Sequence, residues 1–151
     1  MRGVARKLGV DEIGNLISLV FHDSKVIKKS RNWYTISTSE GELQIFSSQT
    51  SPSSHGKAKW YYEFFHTISG KTFDKILRSQ SKILLVEYVN KRYAVLGSQD
   101  VEWLIEYSSR NKKGSGETID IVVKEKNGDF ILVPMMTGSG KSRNIEVIGF
   151  Q

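Results

Sequence analysis

Apolar residues at 13, 16, 17, 20 and 21 (Ile13, Leu16, Ile17, Val20, Phe21) recur at helical spacing. They predict an amphipathic helix over residues 12–22 with Asp11 as its cap. Alternating β-formers predict strands over 33–38 and 43–48, joined at Ser39-Glu40-Gly41-Glu42. Residues 49–59 are Ser-rich, hold Pro52 and Gly56, and read as a loop. Residues 60–68 read as one strand, with a short helix as the alternative. Residues 72–79 read as a short helix that turns Phe73, Ile76 and Leu77 inward.

The run 82–89 is apolar enough for a central strand and pairs with 92–96 around Asn90-Lys91. Asp100 is the expected cap of a helix over 101–109. Residues 111–116 form a loop, and 116–136 form a hairpin around Asn127-Gly128, the strongest short-range signal for a two-residue turn. A Gly/Ser loop over 137–143 leads to a last strand over 144–150. The order is α-β-β-β-α-β-β-α-β-β-β. Hairpins dominate it, so the expected fold is a single α+β domain of 151 residues with a mixed or mainly antiparallel sheet and two or three helices.

Charge changes the picture more than composition does. A hydrophobic fraction of 38% suits a globular domain, whereas 22 Lys+Arg against 16 Asp+Glu give a net charge of +6 and favour a polyanionic partner. The absence of cysteine removes disulfides, thiol nucleophiles and Cys-ligated zinc. No apolar run spans a membrane, and the basic start runs into Asp11, Glu12 and Asn15 rather than a secretory h-region; the expected location is cytoplasmic.

The 116–136 hairpin places one acid, Asp120, within an apolar strand. With the preceding helix, residues 101–136 resemble the core of PD-(D/E)XK nucleases (the restriction endonuclease-like class). There a strand carrying an Asp is followed by a strand carrying Glu-x-Lys. The resemblance implies that Asp120 is the catalytic acid and that Mg2+ is its cofactor. The Glu and Lys positions hold Pro134 and Met136, and no Glu-x-Lys occurs in the chain. One Glu-x-Gln, Glu42-Leu43-Gln44, lies on another predicted hairpin. A nuclease built on Asp120 therefore needs a carboxylate from elsewhere, such as Glu87 or Glu117, because magnesium takes several hard oxygen ligands.

Residues 137–142 (Thr-Gly-Ser-Gly-Lys-Ser) look like the end of a phosphate-binding loop, but Met135 stands where Gly is required and the following residues are β-like. His22, His55 and His66 show no metal-ligand spacing. His66 alternates with aromatics and reads as structural, and His55 is the acid-base candidate.

Basic residues interleaved with aromatics are the most useful constellation. They occur at Lys57, Lys59 and Trp60, at Lys28, Lys29, Arg31 and Trp33, and at Lys91, Arg92 and Tyr93. Cations of this kind hold phosphates while a ring stacks on a base. The expected function is nucleic-acid binding without a cofactor, duplex DNA before RNA, of the kind found in restriction or mobile-element proteins. The expected contacts are Lys57, Lys59, Arg92, Lys112, Lys113, Lys141 and Arg143, with Trp60 as the stacking residue. A divergent metal-dependent nuclease is the second reading. The third is a module or inhibitor that binds an acidic protein. A homodimer stays open under each.

Overall fold

The computed structural model describes residues 5–55, 60–108, 111–113, 116–134 and 140–151. Helices are α1 (Val10–Val20), α2 (Gly70–Ser79) and α3 (Ser98–Tyr107). The strands are β1 (Lys25–Lys29), β2 (Trp33–Thr38), β3 (Gly41–Thr50), β4 (Ser53–His55), β5 (Trp60–Tyr62), β6 (Phe64–Ser69), β7 (Lys82–Glu87) and β8 (Arg92–Leu96). The chain then adds β9 (Asn111–Lys113), β10 (Gly116–Lys126), β11 (Asp129–Pro134), β12 (Arg143–Ile145) and β13 (Ile148–Gly149). The fold class is α+β, as the pattern predicts.

Two main sheets carry the architecture. The first runs β1-β2-β3-β7-β8-β13, antiparallel throughout except where β3 and β7 lie parallel. That parallel pair is joined by a long excursion that ends in α2, since parallel neighbours need a crossover. The second sheet runs β12-β11-β10-β6, with β9 on the end of β10, and is antiparallel.

Burial follows from these faces. Ile13, Leu16 and Ile17 of α1 pack on Tyr34, Ile36, Ile45, Leu84 and Val86, which cover one face of the first sheet. The other face, with Phe46, Ile83, Leu85, Ala94 and Leu96, packs on α2, α3 and the second sheet through Phe73, Ile76, Val101, Leu104, Ile119, Ile121 and Val123. Strand β7 contributes to both clusters. Residues Ile83–Val86 are fully buried, the continuous apolar run expected of a central strand.

The expected caps are changed: Glu12 rather than Asp11 caps α1, and Asp100 caps α3 from inside its first turn. α1 begins after Gly9, whose N–H donates to the Glu12 carboxylate at 3.0 Å, while Asp11 turns to Lys29. α3 begins after Gly97, whose N–H donates to Asp100 at 2.9 Å. Both acids occupy the third helical position and cap from inside the first turn. α2 starts after Ser69, whose hydroxyl accepts from the Thr72 N–H at 3.2 Å.

Two predicted strands are each split. The run 60–68 bends at Glu63, so β5 pairs with β4 and β6 pairs with β10. The Ser-rich segment 49–59 accordingly contains strand β4 and the end of β3. The run 144–150 divides into β12, which pairs with β11, and β13, which pairs with β8, so the last residues cross from one sheet to the other. The Asn127-Gly128 turn is as the sequence dictates. Lys126 pairs with Asp129, and the two turn residues have φ of 54° and 86°. Both φ values are positive, as a type I′ turn requires.

Candidate nucleic-acid interface

Strand β1 is the outer edge of the first sheet, and four of its five residues are exposed. A bulge between Val26 and Lys28 resets its register, so that Lys28 stands opposite Thr35 and Lys29 opposite Tyr34. Neighbours across a pair share a face. Lys28 therefore belongs to the Trp33–Thr35 face, and Lys29 to the face that α1 covers, where it pairs with Asp11 at 2.6 Å. That ion pair is exposed and weak. Lys28 has no carboxylate partner among the described residues.

Lys28, Lys29, Ser30, Trp33 and Thr35 line an open depression of about 420 Å³. Thr35 is buried at its base and donates to the Gln44 side-chain oxygen at 3.1 Å. The Ser30 hydroxyl donates to the Trp33 carbonyl at 3.2 Å. Trp33 is half-buried, with its ring edge-on to Phe46 at 5.1 Å. From α2 the exposed Lys75 reaches back and sets its ammonium 4.2 Å from the Trp33 ring centroid. Lys25, Arg31, Lys71 and Arg78 are exposed on the same three elements and their connections. The arrangement offers cations beside a fixed aromatic surface, which suits a phosphodiester with a base attached.

The local pattern of Lys28, Lys29, Arg31 and Trp33 is visible in sequence. Lys75 is not, because only the packing of α2 under the first sheet carries it to the ring.

The other expected contacts fall in different places. Lys57 and Lys59 lie outside the described residues, as do the side chains of Trp60, Lys112, Lys113 and His55. Lys141 is exposed, with its ammonium 5.8 Å from the Tyr107 ring centroid. Arg143 donates from Nε to Asp100 at 2.6 Å and ties the C-terminal segment to the start of α3. Arg92 is drawn inward. Its Nε and Nη2 donate to Glu87 Oε1 at 3.0 and 2.6 Å, and Nη2 also donates to Glu63 Oε2 at 2.7 Å. Burial pulls its pKa down, but the bonds from Glu63 and Glu87 outweigh this and hold it above the ordinary arginine value. A guanidinium so engaged is a structural tie, not a free phosphate ligand.

Asp120 is buried on the face of β10 turned away from the main core. It accepts from the Thr67 hydroxyl at 2.8 Å. The Tyr62 phenol nearby is raised in pKa, first by burial and then by the Asp120 charge. Glu117 is three residues away on the same strand and so points to the opposite face, beside Gly70. Glu87 belongs to the other sheet and is held by Arg92 and Asn90. Among the described residues no three His, Asp or Glu side chains converge as metal ligands. Glu42 and Gln44 lie on β3, opposite Ser37 and Thr35, and β2 has no acid beside them. Pro134 ends β11 opposite Ile121, and Met136 is outside the described residues. His22 is exposed, and His66 is buried with Nδ1 2.9 Å from the Ser48 hydroxyl.

Charge is unevenly divided between inside and outside. Glu63, Glu87 and Asp120 are buried, with Arg92 as the cation among them. These three carboxylates and one guanidinium amount to a charge of −2, so a chain of net +6 carries +8 on its remaining residues. No helix among the described residues is long and apolar enough to cross a membrane. Comparison of the chain with protein-family models, with curated proteins and with solved structures gave no match.

Proposed function

We propose that this protein binds nucleic acid, duplex DNA before RNA, through the basic edge formed by β1, the β1–β2 turn and α2. The observation that carries the reading is the depression bounded by Lys28, Lys29, Ser30, Trp33 and Thr35, with the Lys75 ammonium over its indole. Lysines there would neutralise phosphates and release condensed counterions, so binding would be salt-dependent and largely independent of sequence. Lys57, Lys59, Lys112, Lys113 and Lys141 remain further phosphate contacts expected from the sequence. Arg92 and Arg143 have internal carboxylate partners and would support the fold instead.

The test is anisotropy of labelled duplex DNA, single-stranded DNA and RNA at two salt concentrations, with and without Mg2+. Affinity should fall steeply as salt rises. Lys28→Ala combined with Lys75→Ala should weaken binding to every sequence alike. It should also reduce the salt slope by about 1 for each of the two lysines that neutralises a phosphate. Absence of binding at low salt would overturn the proposal and favour a protein partner. Cleavage that requires metal and disappears in Asp120→Ala would establish the nuclease reading in its place.

A further inference from the structure

We infer that the depression beside Trp33 receives an unpaired nucleotide, with its base stacked on the indole in place of the Lys75 ammonium and its phosphate held by Lys28. The inference rests on the nucleic-acid reading above and, at this depression, replaces its duplex preference with a preference for strands that expose a base.

The geometry separates this from simple backbone binding. A flat or convex basic surface suffices for phosphates. Here the cations border an open, shallow depression that Trp33 helps to line. Bases within a paired duplex are already stacked on one another, and a ring lining the depression meets a base face only when that base is free. Trp33 is also held in place. Its edge contact with Phe46 at 5.1 Å and 63° fixes the indole before any ligand arrives, so stacking costs little ordering.

Lys75 does not line the depression but covers one face of the indole, and a base that stacks on that face must displace its ammonium. Its ammonium, 4.2 Å from the indole centroid, is a cation–π contact made by an exposed lysine. At an exposed site such a contact is weaker than base–aromatic stacking, so a base displaces it. The released ammonium sits on a flexible four-carbon stem and is free to turn toward a phosphate of the bound strand. The exchange keeps the indole face covered while it adds a charge contact.

The experiment compares a DNA single strand carrying one 2-aminopurine with the same strand fully paired, at one salt concentration. Anisotropy reports binding, and 2-aminopurine emission reports stacking. The single strand should bind more tightly than the duplex, and its emission should fall on binding to the wild-type protein. Trp33→Leu should weaken the single strand about tenfold and leave the duplex nearly unchanged. Trp33→Phe should keep most of the quench, because a ring remains, and Lys75→Met should keep it too. Binding of both forms with no quench in the wild-type protein overturns the inference, needs no variant to fold, and leaves the nucleic-acid reading intact. Binding of neither form overturns both.

Discussion

Arg92 and Glu87 form the most deeply set ion pair among the described residues. The Glu87 side chain is fully buried and that of Arg92 is 20% exposed, with Nη2 2.6 Å from Oε1. The second oxygen of Glu87 accepts from the Asn90 N–H at 2.7 Å, so the carboxylate also closes the turn between β7 and β8. A buried ion pair need not stabilise a fold relative to an apolar pair, but loss of one partner strands the other. Arg92→Ala should therefore cost about 3–5 kcal/mol, read as a lower urea midpoint. A shift equivalent to less than about 1 kcal/mol, the value of an exposed pair, would show that water screens this site.

The turn at Asn127-Gly128 gives a prediction free of packing. Gly128 has φ of 86°, and a Cβ built there meets nothing within 4 Å. Gly128→Ala should thus cost about 1–2 kcal/mol through the backbone alone, seen as a lower Tm. An unchanged Tm would mean that the hairpin end tolerates another turn type.

Asp100 performs two tasks with two oxygens. Oδ2 accepts from the Gly97 N–H at 2.9 Å and Oδ1 from Arg143 Nε at 2.6 Å. Asp100→Ala removes a helix cap and the tie to the C-terminal segment together, at about 1–2 kcal/mol. Amide exchange should then rise first at Gly97 and along β12. Exchange that rises equally over all elements would contradict the local role.

The sequence legibility of these features follows their range. The Asn127-Gly128 turn and the α2 face of Phe73 and Ile76 depend on neighbours within a few residues, and the pattern predicts both. The break at Glu63 is hidden, because residues 60–68 keep β-forming chemistry straight through it. What makes a buried glutamate tolerable there is Arg92, at 2.7 Å and on another sheet. Arg92 reads as a surface cation because Glu63, which draws it inward, lies 29 residues away, whereas its hairpin partner Glu87 is only five residues away. At the candidate interface the Lys28–Trp33 cluster is legible and Lys75 is not. Asp120 stands out in the pattern as an acid in an apolar strand, and its Thr67 partner comes from the register of β6 against β10.

His66 supplies the prediction in pH. Burial, and then the charge of Lys7, lower its pKa from the ordinary 6.5 to about 3. Its Nε2 has no hydrogen-bond partner among the described residues to favour a second proton. Below pH 6.5 the unfolded chain takes up a proton at this histidine that the folded chain refuses. Its neutral form thus favours folding fully above pH 6.5, and that contribution is lost as pH falls toward about 3. The slope from this one group approaches ~1.4 kcal/mol per pH unit well below 6.5. Urea midpoints of the wild type should drop between pH 7 and pH 5, and those of His66→Leu should drop less, whatever that variant costs at pH 7. Parallel curves for the two proteins would show that His66 accepts its proton in the folded state, and that the core around Ser48 opens to let it.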